Sequence, residues 1–176
     1  MLTLGKLRTA ARGEIIAFGA YAHTAGATDR TPIQWRVLSN SFPELFLLSE
    51  YILDCKRFHG ELVDITWAGC DLRKWLNGEF YHAAFSSDEM RLIVTSPCTD
   101  NGTDSPDTDD KVFLLSVLEV QELTGKRCQD PQCVRRLAVA TEFSKQKKSD
   151  GCHLYVYEKS VRDNYIIDGG GERGCS

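Results

Sequence analysis

Two aromatic-rich blocks constrain this chain more than any other feature. The first runs Ile16-Ala17-Phe18-Gly19-Ala20-Tyr21 and then Pro32-Ile33-Gln34-Trp35-Arg36-Val37-Leu38. The second holds Thr66-Trp67, then Asp71-Leu72-Arg73-Lys74-Trp75-Leu76-Asn77, then Phe80, Tyr81 and Phe85. In the first block Ile33, Trp35 and Val37 alternate with Gln34 and Arg36, the period of an extended strand. In the second, Leu72, Trp75, Leu76 and Phe80 recur at i, i+3, i+4 and i+8, one apolar stripe of a helix. A chain that uses both periods to bury its rings is an α+β domain. Trp35, Trp67 and Trp75 lie on the apolar faces of these elements and read as interior packing rather than as a ligand platform. An open cleft lined by those indoles, with His, Cys or Asp side chains converging on it, would overturn that reading.

The flanking residues punctuate the pattern. Glu14 to Ala22 predicts a strand in which Gly19 permits a bend or a close approach. Trp35 to Leu48 predicts an antiparallel hairpin with its turn at Ser39 to Pro43. The run Leu45-Phe46-Leu47-Leu48-Ser49 reads as a strand buried on both sides, and Tyr51 to Leu53 as a short strand or irregular edge. Asn77-Gly78 reads as a helix stop. Ser86 with Glu89 and Ser116 with Glu119 have the form of capping boxes, predicting helices from Ser87 and over Val117 to Leu123. Leu92 to Thr95, Val112 to Leu115 and His153 to Tyr157 read as strands, residues 97–110 as loop, and Leu137 to Lys148 as a helix. Residues 1–12 read as a flexible leader, 13–167 as a single domain, and the Gly-rich stretch 168–176 as a flexible tail.

Charge and composition narrow the function classes. A net charge of −4 over 176 residues argues against a nucleic-acid partner. No apolar run reaches the roughly 18 residues needed to span a bilayer, so no membrane partner is expected; no apolar segment marks a secretory signal and the location reads as cytoplasmic, with export of a longer parent as the open alternative. Seven cysteines stand at 55, 70, 98, 128, 133, 152 and 175 without a C-x-x-C pair. They read mostly as reduced, small apolar side chains, with a disulfide framework as the lesser alternative that a thiol titration decides. The aspartates at 100, 104, 107, 109 and 110 lack the spacing of a calcium loop, and a solvated acidic loop is preferred over a cation site. His23, His59, His82 and His153 have no metal-ligand spacing. Arg36 and Arg73, each next to a tryptophan or its helix, read as structural partners of carboxylates. Gly169-Gly170-Gly171 lacks the Lys-Ser/Thr of a phosphate loop. No catalytic residue, metal ligand or cofactor is therefore assigned, and the binding residues are unknown.

Taken jointly, these motifs resemble a bacterial family of uncharacterised domains with a C-type-lectin-like fold, related by fold to the sulfatase-modifying, formylglycine-generating group. The correspondence runs over about residues 14 to 150. It comprises Phe18-Gly19-Ala20-Tyr21, Pro32 to Leu38, Phe46 to Ser49, Trp67 with Leu72 to Asn77, Phe80-Tyr81, Phe85, Asp110 to Ser116 with Glu119, and Thr141-Glu142-Phe143-Ser144-Lys145. Gln34 stands where the family usually has Glu. Cys70 stands at the predicted helix N-cap in place of Ser, and losing such a cap costs about 1 kcal/mol. The family's Trp-Trp-Leu-Arg block and terminal strands are absent, so the resemblance implies a small, twisted, mostly antiparallel sheet with flanking helices, incomplete at its C-terminal end. It also implies a non-catalytic module that binds a ligand or a protein partner, though fold alone does not fix function. The alternatives are a fragment of a formylglycine-generating oxidoreductase, whose chemistry resembles copper-bound paired cysteines and for which Cys152 and Cys175 are the late cysteines, and a retroelement-diversified variable binding protein.

Overall fold

The structure, a computed structural model, describes residues 9–41, 43–102, 104–124 and 138–154. It is a mixed α+β fold with small sheets and short helices. Strands β1 (Ile15–Tyr21), β2 (Thr31–Ser41) and β3 (Glu44–Ser49) form one antiparallel sheet in the order β1-β2-β3. The hairpin expected from Trp35 to Leu48 is present, with Trp35 opposite Ser49 and Val37 opposite Leu47. Its strands run on to Ser41 and resume at Glu44, so the turn is tighter than the sequence suggested.

Alternation holds where the sheet covers the core. Ile16, Ile33 and Val37 are at most 1% exposed, and each contributes about 1.5–3 kcal/mol by leaving water. The expected burial of β3 on both sides does not hold. None of its residues is fully buried and Leu48 is 39% exposed, because β3 ends the three-strand order. Ala10, inside the expected leader, is 3% exposed and its carbonyl accepts from Asn40 Nδ2 at 2.8 Å.

Gly19 carries the bend the sequence allowed. The β1–β2 register shifts between Ala17 and Ala20, and Gly19 has φ of +70°. A Cβ at this position would sit 2.6 Å from the Phe85 ring and 2.9 Å from the Ala84 carbonyl, so only glycine permits this approach. Its N–H donates to Glu89 Oε1 at 2.9 Å. Glu89 also accepts from the Ser86 N–H and hydroxyl at 2.8 and 2.7 Å, so one carboxylate closes the capping box of a short helix and fixes the bulge. Burial opposes its charge, but the bonds from Ser86 and Gly19 outweigh burial and hold its carboxyl below the usual range.

The helical stripe folds as α1 (Asp71–Trp75), a π-helical segment (Leu76–Phe80) and α2 (Tyr81–Ala84) in unbroken succession. Cys70 does cap α1: its Sγ accepts from the Arg73 N–H at 3.4 Å. Asn77-Gly78 does not stop the helix. The backbone widens by one residue there and continues, and the Asn77 side chain supplies the reason. Its Oδ1 accepts from the N–H groups of Lys111 and Val112 at 2.8 and 3.2 Å, and its Nδ2 donates to the carbonyls of Arg73 and Val112 at 3.1 and 3.0 Å. Leu72, Leu76, Phe80, Tyr81, Ala84 and Phe85 then pack with Ile33 as the main core.

The second capping box is also present: Ser116 Oγ accepts from the Glu119 N–H at 3.1 Å, and Glu119 accepts from the Ser116 N–H at 2.7 Å. Helices α3 (Ser87–Met90) and α4 (Val117–Thr124) start where these boxes place them. The segments between depart from expectation. Leu92 to Thr95 and Val112 to Leu115 are not strands; β5 (Ser96–Cys98) and β6 (Thr108–Asp110) pair antiparallel beside them. Of the expected helix from Leu137 to Lys148, residue 137 lies outside the described residues and the rest is instead β7 (Val139–Ala140) followed by turns; β7 pairs in parallel with β4 (Tyr51–Ile52). Residues 155–157 of the last expected strand and the 168–176 tail lie outside the described residues.

Candidate functional site: an aromatic cleft with an acidic rim

Most of the large apolar side chains that the core does not absorb collect in one place; Leu62, Val63 and Val139 lie elsewhere. Leu92, Val94, Leu114, Val117 and Leu118 are 50–57% exposed, and all of them line one of two neighbouring cavities. The smaller, about 350 Å³, lies over the β2–β3 hairpin and is walled by Phe18, Trp35, Leu47, Phe85, Ile93 and Val112. The larger is an open cleft of about 1160 Å³. Phe46 and Phe113 line both. Their rings stack at 5.9 Å and 17°, so the pair is a shared wall.

The cleft has an aromatic interior and a negative rim. Phe46, Phe58, Trp67 and Phe113 supply the rings; Glu44, Asp100, Asp104 and Glu122 supply carboxylates, with Glu119 at the start of α4. No lysine, arginine or histidine is among the described residues that line it. Cys98 is in the wall, but burial, then Asp110 and Glu119, push its thiol up to about 11. It is a thiol, not a thiolate, at neutral pH.

Beneath the cleft one buried carboxylate organises the wall. Asp110, 1% exposed, accepts from Arg73 Nε at 2.8 and 3.1 Å, from Trp67 Nε1 at 2.9 Å and from the Thr108 hydroxyl at 2.8 Å. Burial alone would raise its pKa; the bonds from Arg73, Thr108 and Trp67 overcome it and hold the carboxyl below the usual range. Arg73 also donates to the Ala68 carbonyl at 3.1 Å, so its planar fork ties α1, the Trp67 loop and β6 together. Arg36 pairs with Glu50, its Nε 2.9 Å from Oε2. Both arginines are thus partners of carboxylates, as their positions suggested.

The tryptophans divide. All three pack against the core cluster while partly buried. Trp75 lies under the Lys56 ammonium, 5.2 Å from its ring centre. Trp35 donates to the Phe18 carbonyl at 2.7 Å and walls the small cavity. Trp67 faces the large cleft alongside Cys98, Asp100 and Asp104, which corrects the purely interior reading for that ring. The histidines do not converge there. His59 Nδ1 lies 2.9 Å from Asp71, His23 packs edge-on to Tyr51, and His82 against Tyr81. Among the described residues no three His, Cys, Asp or Glu side chains gather as a metal cluster. Asp110 is withdrawn from the acidic stretch by Arg73, so the aspartates of that stretch do not act as one group. Cys55, Cys70 and Cys98 are free, whereas Cys152 is disulfide-bonded. Cys175 lies outside the described residues. No helix among the described residues is long and apolar enough to cross a membrane.

Phe46 and Phe113 carry no direct sequence signal as a wall, because each sits in an apolar run that reads as core. A mixed α+β domain with an open aromatic, carboxylate-rimmed cleft is the class that these features define. The chain belongs to the family described as Domain of unknown function (DUF6273), which matches residues 43–165. No curated protein and no solved structure matches it.

Proposed function

We propose that this chain is a non-catalytic binding module on a C-type-lectin-like framework, and that its ligand combines an apolar body with a positive charge. A basic peptide segment with aliphatic neighbours has this chemistry. One observation carries the reading: the large cleft joins four aromatic rings to a rim of carboxylates, with no cationic side chain among the described residues lining it. Aromatic faces attract ammonium and guanidinium groups, and a negative rim concentrates cations at the mouth. The half-exposed Val94, Leu114, Val117 and Leu118 mark a surface that gains by being covered. The volume exceeds that of most small-molecule pockets, which favours an extended segment.

Calorimetric titration with three peptides of equal leucine content, bearing arginine, glutamine or glutamate between the leucines, tests this. The arginine peptide is expected to bind at least about tenfold more tightly than the glutamate peptide at low salt, with the margin shrinking as salt rises. Equal binding of all three keeps the binding module and removes the charge preference. Binding of none removes the module itself.

A further inference from the structure

The smaller of the two cavities differs from its neighbour in the charge at its wall. Its volume, about 350 Å³, falls in the range of about 300–1,000 Å³ that holds small-molecule ligands. Five aromatic rings line it, those of Phe18, Trp35, Phe46, Phe85 and Phe113. Lys111 is the one cationic side chain among the described residues that line it. Asn40, Glu44 and Ser96 are the other polar residues there. Glu44 lines the large cleft as well and so belongs to the boundary between the two, whereas Lys111 lines the small cavity alone.

Lys111 is held in place but its charge is not answered. The Lys111 N–H donates to Asn77 Oδ1 at 2.8 Å, which fixes the backbone. Its Nζ lies 4.6 Å from the centre of the Tyr81 ring and 3.4 Å from the Tyr81 hydroxyl. That hydroxyl donates in turn to the Met90 carbonyl at 3.1 Å. Lys74, Lys145 and Lys148 each have a carboxylate partner. Lys111 has an aromatic face and a hydroxyl, and no carboxylate of the described residues pairs with it. An ammonium without a counter-ion, at the wall of a cavity lined by rings and aliphatic side chains, complements a ligand with an apolar tail and an anionic head.

We propose that the small cavity is a binding site for an aliphatic carboxylate, with the alkyl chain among the aromatic rings and the carboxylate on Lys111 Nζ. Leaving water drives the chain into the cavity, and the ammonium selects the head group. A cationic head is disfavoured, because Lys111 already occupies the Tyr81 face and repels a second positive charge. The two cavities therefore share the Phe46–Phe113 wall and select opposite charges. This site stands on Lys111 and does not depend on the reading of the large cleft.

Calorimetric titration of the full chain at pH 7 with decanoate, decanol and decyltrimethylammonium, each below its micellar concentration, tests the proposal. Decanoate is expected to bind at least about tenfold more tightly than either of the others. Lys111→Gln should weaken decanoate about tenfold and leave decanol unchanged. A decanoate analogue with a diazirine at its chain end should label peptides covering residues 92–96 or 111–115 on irradiation. Three results overturn the proposal: no binding of decanoate, binding of decanol or of the ammonium as tight as that of decanoate, or labelling confined to peptides outside the small cavity. The wild-type comparison and the labelling decide the matter even if the variant fails to fold. Failure of the arginine peptide to bind the large cleft leaves these expectations unchanged.

Discussion

Phe85 and Phe113 show how differently the two sides of this domain use an aromatic ring. Phe85 is 4% exposed, packed among Phe18, Trp35, Phe80 and Tyr81, and pressed against the backbone of Gly19. Phe113 follows a coil segment hung from the Asn77 side chain, stacks on a single partner, Phe46, and walls two cavities. The residue types match; the backbone beneath them does not. The side built on β1, β2 and the long helical run turns its ring burial into stability. The side built on residues 92–118 leaves apolar surface open, and surface left open by a folded chain is available for recognition.

The largest effect should come from the packed side. Phe85→Ala is expected to cost about 3–5 kcal/mol in urea unfolding, through lost transfer energy and the cavity left behind. If Phe113→Ala costs as much, the contrast between the two sides fails. Next comes the carboxylate under the cleft. Asp110→Asn keeps an acceptor for Trp67 and Thr108 but strips Arg73 of its anion. Arg73 retains some contact with water, so the loss is put at about 2–3 kcal/mol rather than the full cost of a broken buried pair.

The same carboxylates predict the acid limb of the stability curve. Asp110 and Glu89 bind protons less readily in the folded chain than in the unfolded one. Their contribution is fully present above the unfolded carboxylate value, near about 4, and drains away as the pH falls further. Melting temperatures from pH 6 down to pH 2.5 check this; in Asp110→Asn the decline should be shallower.

Asn77→Ala removes three hydrogen bonds between the helical run and residues 111–112 and one to the Arg73 carbonyl within the run. About 1–2 kcal/mol is expected, with a larger fractional loss of ligand binding than of stability. The smallest effect on folding belongs to Phe113→Ala, about 1 kcal/mol or less, although peptide binding should fall the most. Such a split between folding and binding at one residue would sharpen the comparison best.

Local signals in the sequence were legible because local physics fixes them. Both capping boxes, the Cys70 cap position, the hairpin and the Gly19 bend are each decided within a few residues or by one steric fact. What escaped was decided at long range. Ser96-Pro97-Cys98 and Thr108-Asp109-Asp110 carry no apolar alternation, yet they pair because the intervening loop returns the chain. Val139-Ala140 is a strand only because Tyr51-Ile52 offers it an edge. Asn77-Gly78 has the chemistry of a helix end, but the Asn77 amide is occupied by residues 111 and 112, which sequence proximity cannot reveal. The cleft was hidden for the same reason. Its wall is drawn from the hairpin tip, the Trp67 loop, the 94–105 segment and α4, and each piece alone reads as core or as loop.

The widened turn at Leu76–Phe80 has a further consequence. It is the geometry expected when one extra residue is accommodated in a regular helix. Deleting Gly78 would restore ordinary winding, and everything after it would rotate by about 100° and retreat by about 1.5 Å. Phe85 would then swing out of the notch at Gly19, while Asn77, which precedes the deletion, would keep its hold on residues 111 and 112. One amino acid of length therefore sets the phase between the packed half of the molecule and the open half.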